Sequence, residues 1–571
     1  MKSPVMESEA EDTSKDVLRI ERLFLILAII FGSIQAFFGR YFLTPDGMSY
    51  LDIADGFIRT GWRAVVNGYW SPVYPVLLGL SKRMLRPSLR WEFPVAHILN
   101  FVIFVLALFS FRFFLRSAAP WLKNKNNITF GDAAPLPSWV LVGLGNCLFL
   151  WGTIDLIDLS IVTPDLLVAA LVFLLAGLIM DLRDRHSIAK FAIFGAVAGL
   201  AYLTKGIMFP LAFLFLGVLW FSGNSSRTRL GGVLLSAVVF LAVASPFVVA
   251  LSKSKGRLTY GDTGKLAYAR VVSPGSPETN WQGDPEGGVA LHPTRQLMDH
   301  PPVFEFAEPI NGTYPPWYDS SYWSDGLHWR FRLRSQIRVL VQSALTYGKV
   351  LEGCAALVAG ILIFLQIGKG STLKAIARNW PLLVVACGAG GIYALVLVKE
   401  RYIASFAILF WVAILAGVRL PRDAKVAAVS NYIGIAVILT MLMSLTSSVA
   451  HGAYRALSVG PIATDKEQLD AAEGLQKMGL RQGDKVAVLG IGTTDYWAYL
   501  GKFKIVSQIE CLDPGRREFW AASPDLKARA YQSIRSTGAR VIVTWNAPTG
   551  EESEGWKQIS NSNYYVYFFP K

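Results

Sequence analysis

Four charged residues stand beside apolar stretches in which charge is rare. They are Asp46 in Thr44-Pro45-Asp46, Asp165 in Thr163-Pro164-Asp165, Lys205 in Leu203-Thr204-Lys205-Gly206, and Arg401 in Glu400-Arg401-Tyr402. A fixed carboxylate can take a proton from an attacking hydroxyl, and lysine or arginine can hold an anionic group. Each also has a plain structural account. An acid in the first turn of a helix stabilises it by roughly 0.3–1 kcal/mol through the helix dipole. Thr-Pro-Asp occurs twice, which shows how cheap such a start is, and spacing alone favours capping for both acids. A lysine beside an apolar block usually snorkels to the interface, and Arg401 can anchor there with Glu400 as a local partner. Asp155 and Asp158 read as solvated loop residues.

The segment carrying Asp46 must be a helix. Thr44 suits its cap, Pro45 its first position and Asp46 its first turn. Tyr50, Ile53, Ala54, Phe57 and Ile58 follow helical spacing, while Ser49, Asp52, Asp55 and Arg59 take the opposite face. That division predicts an amphipathic helix lying in a membrane interface.

The rest of the chain supplies the membrane. Of 571 residues, 53% are hydrophobic and 17% charged, and the mean hydropathy is +0.39. A soluble globule, a disordered chain and a fibrous repeat are excluded as the main architecture. Apolar blocks near Leu23–Phe38, Phe93–Leu115, Ser138–Leu156, Pro164–Met180, Ile188–Leu203, Ile207–Phe221, Leu230–Leu251, Val350–Leu365, Pro381–Val398, Tyr402–Val418 and Val426–Leu445 predict about eleven transmembrane helices. The first block lacks a small-residue cleavage site and reads as a retained span.

Every second connector is basic. The series runs through Arg112, Arg116, Lys123 and Lys125; Arg183, Arg185 and Lys190; Arg227 and Arg229; Lys369, Lys374 and Arg378; and Arg419, Arg422 and Lys425. These connectors and the N-terminus are assigned to the cytoplasm. The outer side receives loops 40–92 and 252–335 and the tail. Residues 1–449 therefore form the membrane unit and 450–571 an extracytoplasmic domain.

The net charge of +14 is explained by those connectors or by an anionic lipid substrate, and no nucleic-acid signature is present. Lys82, Arg83, Arg86 and Arg90 oppose the sorting rule, which points either to anionic head groups as their contacts or to a stretch beyond the short helix starting at Pro72, where charge has little weight in sorting. Cys147, Cys354 and Cys387 fall in apolar blocks and Cys511 in a polar region, so neither a disulfide framework nor zinc is indicated.

From about Pro461 the composition becomes that of a small α/β domain. Strand-like runs at Lys485–Gly490, Phe503–Ile509, Arg540–Trp545 and Tyr564–Phe569 alternate with helix-like stretches, one marked by Leu469, Leu475 and Met478 and another at Pro524–Ser536. Gly490-Ile491-Gly492 lacks the third glycine of a dinucleotide fingerprint and reads as a plain turn.

Asp46, Tyr50, Ile53-Ala54, Thr60-Gly61-Trp62 and the run Tyr69-Trp70-Ser71-Pro72-Val73-Tyr74-Pro75 together resemble the first outer loop of the glycosyltransferase-C superfamily. The branch most similar is that of bacterial lipid A aminoarabinose transferases and protein O-mannosyltransferases. Thr163-Pro164-Asp165, Leu203-Thr204-Lys205-Gly206 and Glu400-Arg401-Tyr402 resemble further motifs of that superfamily, in the same order, so that residues 20–420 are covered. Two departures stand out. Gly47 occupies a position where many members carry Glu, and the proline usual after Arg-Tyr is replaced by Ile403-Ala404-Ser405.

The resemblance implies transfer of a sugar from a polyprenyl-phosphate carrier to a lipid, protein or polysaccharide acceptor at the outer face of a bacterial inner membrane. It assigns Asp46 as the base and Asp165, Lys205, Glu400, Arg401, Tyr402 and Arg59 to substrate, with Arg63 as a further cation. Phosphate is already a stable leaving anion, so compensating positive charge matters more than a strong general acid. Some superfamily members use a divalent cation, for which Asp46 and Asp165 are the candidate ligands.

The outer loop 252–335 is rich in aromatic residues: Tyr260, Tyr268, Trp281, Tyr314, Trp317, Tyr318, Tyr322, Trp323 and Trp329. Its run Gly312–Trp323 predicts an ordered lid or acceptor wall. His292, His300 and His328 in the same loop lack metal-ligand spacing. A transporter or lipid flippase is the alternative class, for which charges inside spans and inverted repeats are expected. A sensor that displays its tail is a third.

Overall fold

The computed structural model describes residues 4–122, 133–183, 186–223, 227–273, 280–283, 285, 287–292, 294–322, 325–458, 463–510, 518–548 and 554–570. Lys123, Lys125, Arg185, Trp323, Pro461 and Cys511 lie outside the described residues, as does the side chain of Lys369.

The first helices are α1 (Pro4–Phe38), α2 (Pro45–Thr60), α3 (Val73–Leu85), α4 (Glu92–Leu122), α5 (Ser138–Leu150), α6 (Asp165–Leu182), α7 (Ile188–Thr204), α8 (Met208–Phe221), α9 (Arg227–Lys255) and α10 (Thr263–Val271). After a short turn α11 (Pro315–Tyr318) come α12 (Leu333–Gly353), α13 (Ala355–Arg378), α14 (Trp380–Ala394), α15 (Glu400–Gly417) and α16 (Ala424–Ser458). Among the described residues six helices are long and apolar enough to cross a membrane, or up to eight if each of two bent helix pairs is one span. Helices α7 and α8 are apolar but shorter. The apolar block Leu23–Phe38 forms the second half of α1.

Helix α6 is apolar all round and almost wholly buried, as a central span must be. Helices α7 and α9 approach closely because Gly195 has no side chain; a Cβ there would stand 2.2 Å from the Ser236 carbonyl. Ser236 Oγ donates to the Phe191 carbonyl at 2.7 Å across the same contact.

Outside the helices lie α17 (Ala463–Lys477), α18 (Tyr496–Leu500), α19 (Pro524–Ser536) and two sheets. The small sheet pairs β1 (Ala133–Pro135) with β4 (Arg419–Pro421). The larger has seven strands: β2 (Arg295–Met298), β3 (Val303–Glu305), β5 (Lys485–Leu489), β6 (Lys504–Ile509), β7 (Val541–Trp545), β8 (Trp556–Gln558) and β9 (Tyr564–Phe568). Their order is β2-β3-β6-β5-β7-β9-β8, with β5 parallel to both β6 and β7. The four strand-like runs and the helix at Pro524–Ser536 are present. The sheet also recruits two strands from loop 252–335: β3 pairs antiparallel with β6 through Val303 and Ile509. Strands of three or four residues carry no readable period, so this joining of loop and tail was invisible in the sequence.

Helix α2 begins as expected, with Thr44 Oγ1 accepting from the Gly47 amide at 3.3 Å and Pro45 in the first turn. It ends at Gly61, whose φ of 69° suits glycine. The expected polar outer face is corrected: Ser49, Asp52 and Asp55 are buried along with Tyr50, Ile53 and Ala54. Loop 252–335 and the tail close over that face. Asp52 accepts the Thr313 amide at 2.9 and 3.1 Å.

Candidate functional site

One cavity gathers helix ends from across the chain. Asp46 and Tyr50 of α2 line it, with residues 69–71, Thr163–Asp165 at the start of α6, and Lys205–Ile207 after α7. Tyr260, Thr263 and Ala267 around α10, Tyr393 of α14, and Arg401 and Tyr402 at the start of α15 complete it. It encloses about 1150 Å³ of empty space, its open mouth included.

The charged groups form a chain of contacts. Arg401 Nη2 donates to Asp46 Oδ2 at 2.5 Å, and Arg401 Nε lies 3.5 Å from Asp165 Oδ2. Asp165 Oδ1 takes Lys205 Nζ at 2.5 Å, and its Oδ2 accepts Thr163 Oγ1 at 3.0 Å. Lys205 Nζ stands 3.6 Å from the centroid of the Tyr402 ring, close enough for cation–π attraction. The Asp46 side chain is 41% exposed, whereas those of Arg401 and Asp165 are 11% and 4% exposed. Two acids and two cations therefore balance, with Asp46 the carboxylate that solvent and substrate can reach. The buried Arg401 Nε faces Asp165 at 3.5 Å, too far for a good hydrogen bond, and among the described residues it has no closer partner.

Asp46, Asp165, Lys205, Arg401 and Tyr402 are thus brought together. Glu400 and Arg59 are not. Glu400 is exposed in the first turn of α15, and the ion pairs of Arg401 go to Asp46 and Asp165 instead. Arg59 is exposed and donates to the Asn311 carbonyl at 2.8 Å, away from the cavity. Arg63 is exposed and lines a second, polar cleft with Asp52, Tyr318 and Lys255. Lys82 does not reach lipid head groups: it is buried on Asp55 and, at 2.5 Å, on Glu92. Arg90 pairs with Glu473 at 3.2 Å, while Arg83 and Arg86 are exposed.

Gly47 explains the missing second acid. A Cβ there would stand 3.0 Å from Leu43 Cδ1 and 3.1 Å from Val162 Cβ, so any side chain at this position requires those neighbours to shift. The aromatic run is likewise corrected. Tyr314 Oη donates to Gln508 Oε1 at 2.8 Å and Trp317 Nε1 to the Thr493 carbonyl at 3.0 Å. Both side chains are buried packing between α2 and the tail rather than a lid, and among the described residues of the aromatic set only Tyr260 lines the cavity. Tyr69, in the first outer loop, also lines it, and burial pushes its hydroxyl above the usual tyrosine range. Tyr393, which stacks on Tyr402 with centroids 5.6 Å apart, gave no signal in the sequence because its apolar block conceals it.

The residues do not fit a divalent cation. Each carboxylate already faces an ammonium or guanidinium where a metal would sit, and the described residues hold no group of three His, Cys, Asp or Glu side chains suited to one. His292 stacks on Tyr322 at 4.2 Å, and His300 lies 3.4 Å from Glu518.

No protein-family model and no curated protein matches the sequence. Solved structures do match. ArnT from Cupriavidus metallidurans in the apo state shares 12% identity at a TM-score of 0.53, over 95% of this chain and 96% of that one. The same protein bound to undecaprenyl phosphate gives 11% and 0.51, over 95% and 97%. The chain has the glycosyltransferase-C fold. An Archaeoglobus fulgidus oligosaccharyltransferase tethered to an acceptor peptide, 12% identical over 91% of this chain and 69% of that one, reaches a TM-score of 0.42. At such identities the likeness speaks for the fold, so the reading of the cavity rests on its own residues.

Proposed function

We propose that the protein is an integral membrane glycosyltransferase that moves a sugar from a polyprenyl-phosphate-linked donor to an acceptor hydroxyl at the outer membrane face. The observation that carries this reading is the cavity itself, in which a reachable carboxylate, Asp46, stands beside Arg401 and Lys205. The acceptor hydroxyl gives its proton to Asp46 as its oxygen bonds to the anomeric carbon. The bond from that carbon to the phosphate oxygen breaks, and the phosphate leaves with the electron pair. Lys205 and Arg401 hold the departing anion.

The ion pair between Arg401 and Asp46 adds a further feature. An arriving phosphate competes for the guanidinium, so donor binding frees the Asp46 carboxylate to turn toward the acceptor hydroxyl. Lipid, protein and polysaccharide acceptors, and hexosyl or pentosyl groups, are all compatible with this chemistry. We place the N-terminus in the cytoplasm and residues 450–571 outside, which follows from the basic connectors.

Proteoliposomes supplied with an undecaprenyl-phosphate-linked sugar and an extract of envelope glycolipids test the reading. Release of undecaprenyl phosphate by the wild type, absent in Arg401→Met, is the expected result. Movement of the intact donor across the bilayer without release of undecaprenyl phosphate would establish the flippase class instead.

A further inference from the structure

The tail contributes more than a cap. Asp55 of α2 accepts from Lys82 of α3 and, at 2.7 Å, from Lys502, which follows α18 in the tail. Glu92, at the start of α4, contacts Lys82 at 2.5 Å and Lys502 at 2.8 Å. Tyr499 of α18 completes the cluster: its hydroxyl accepts from Lys82 Nζ at 2.6 Å and donates to Glu92 at 3.0 Å. Asp55, Glu92 and Lys82 are buried, and Lys502 is about one-third exposed, its side chain at 34%.

Charge balance makes the tail's lysine necessary. Within the cluster the membrane unit supplies two carboxylates and one ammonium, and a buried carboxylate left unpaired is strongly destabilising. Lys502 supplies the missing positive charge. Burial works against ionised Asp55, yet Lys502 and Lys82 hold its carboxyl down at about 2. Lys502 has a φ of 56°, a conformation that favours glycine. The backbone cost of keeping a lysine there is offset by its ion pairs with Asp55 and Glu92.

We propose that Lys502 and Tyr499 are positioning residues for the transfer reaction: through them the tail latches α2 and fixes where Asp46 stands in the cavity. Asp55 and Asp46 lie on one unbroken helix, about 13 Å apart along its axis at 1.5 Å per residue. A second pin, Asp52 on the Thr313 amide, comes from the loop that joins the same sheet. Rotation or sliding of α2 is therefore opposed in its C-terminal half by the latch and at its start by Arg401. A displacement of about 1 Å at a reacting group costs on the order of 100-fold in rate.

The inference rests on Asp46 acting as the base, and the experiment separates the two. Lys502→Met, Lys502→Arg and Tyr499→Phe are compared with Asp46→Asn in full-length protein in proteoliposomes. Turnover of the undecaprenyl-phosphate-linked sugar is read beside equilibrium binding of undecaprenyl phosphate. For Lys502→Met the expected result is a fall in kcat of tenfold or more, binding within twofold of wild type, and recovery of most turnover in Lys502→Arg. Tyr499→Phe, which removes one oxygen and keeps the ring stacked on Phe93, is expected to lose severalfold in kcat with binding unchanged and covers the case in which Lys502→Met misfolds. Wild-type kcat in both Lys502→Met and Tyr499→Phe, or parallel loss of binding and turnover, overturns the latch. If those variants behave as expected but Asp46→Asn is fully active, the assignment of the base is what fails.

Discussion

Replacing Asp46 by Asn tests the chemistry most directly, because its expected effects on rate and on stability differ in size. Asn keeps the shape and one acceptor oxygen for Arg401 but has no charge and no basicity. On the stability side, an ion pair becomes a hydrogen bond from the still-charged Arg401 to a neutral amide oxygen, so only the carboxylate's share of the attraction is lost. The Asp46 side chain is 41% exposed and Arg401 keeps Asp165, so solvent screening reduces that loss further, to about 1 kcal/mol or less. On the rate side, a positioned general base contributes about 10²- to 10⁴-fold, or roughly 2.7–5.4 kcal/mol of barrier. The variant should thus fold, melt within a few degrees of wild type and bind undecaprenyl phosphate, yet turn over at least 100-fold more slowly. Its affinity for undecaprenyl phosphate should rise if anything, because the site loses one negative charge. Wild-type turnover in Asp46→Asn would refute the reasoning, and so would a collapse of folding that matched the loss of rate.

Further outcomes follow from the same geometry. Lys205→Met removes the ammonium from Asp165 and from the Tyr402 face, and titration with undecaprenyl phosphate should show affinity weakened about 10- to 100-fold, or roughly 1.4–2.8 kcal/mol. Burial raises the Asp52 carboxyl to about 6 despite the Thr313 amide, so between about pH 4 and 6 the folded protein binds more protons than the unfolded chain and loses stability as pH rises. Asp52→Asn should accordingly melt higher than wild type at pH 7.5, by roughly 1–3 kcal/mol, with the gain shrinking as pH is lowered toward 4. Gly47→Glu should lower both melting temperature and turnover because Val162 and Leu43 must give way to its side chain. Thermal melts and turnover of the purified variant check this, and a stable, active Gly47→Glu would show that the α2–Val162 contact yields.

The charged residues that turned out to share a cavity were individually visible in the sequence, and those that did not were visible in the same way. Asp46, Asp165, Lys205 and Arg401 each sit where an apolar block starts or stops, a local signal that any window along the chain carries. Arg59 and Lys82 carried the same local signal, an exposed-side cation near a membrane interface. They diverged because their partners, the Asn311 carbonyl and the carboxylates Asp55 and Glu92, are chosen by folding. The aromatic run after Gly312 reads as a surface meant for ligand, yet the tail covers it, so Tyr314 and Trp317 became core.

The amino-acid order alone determined the membrane-spanning character, the capped start of α2, and most strands of the tail. Those features follow from periods and end signals spanning a few residues, for which neighbours along the chain are also neighbours in space. Only the tertiary structure decided that Arg401 meets Asp46 across 355 positions, that Lys502 neutralises Asp55 across 447, and that two short strands of an outer loop extend the tail's sheet. Ion-pair partners are selected by distance and burial after the helices have packed, and no pattern of spacing in a linear chain records that choice.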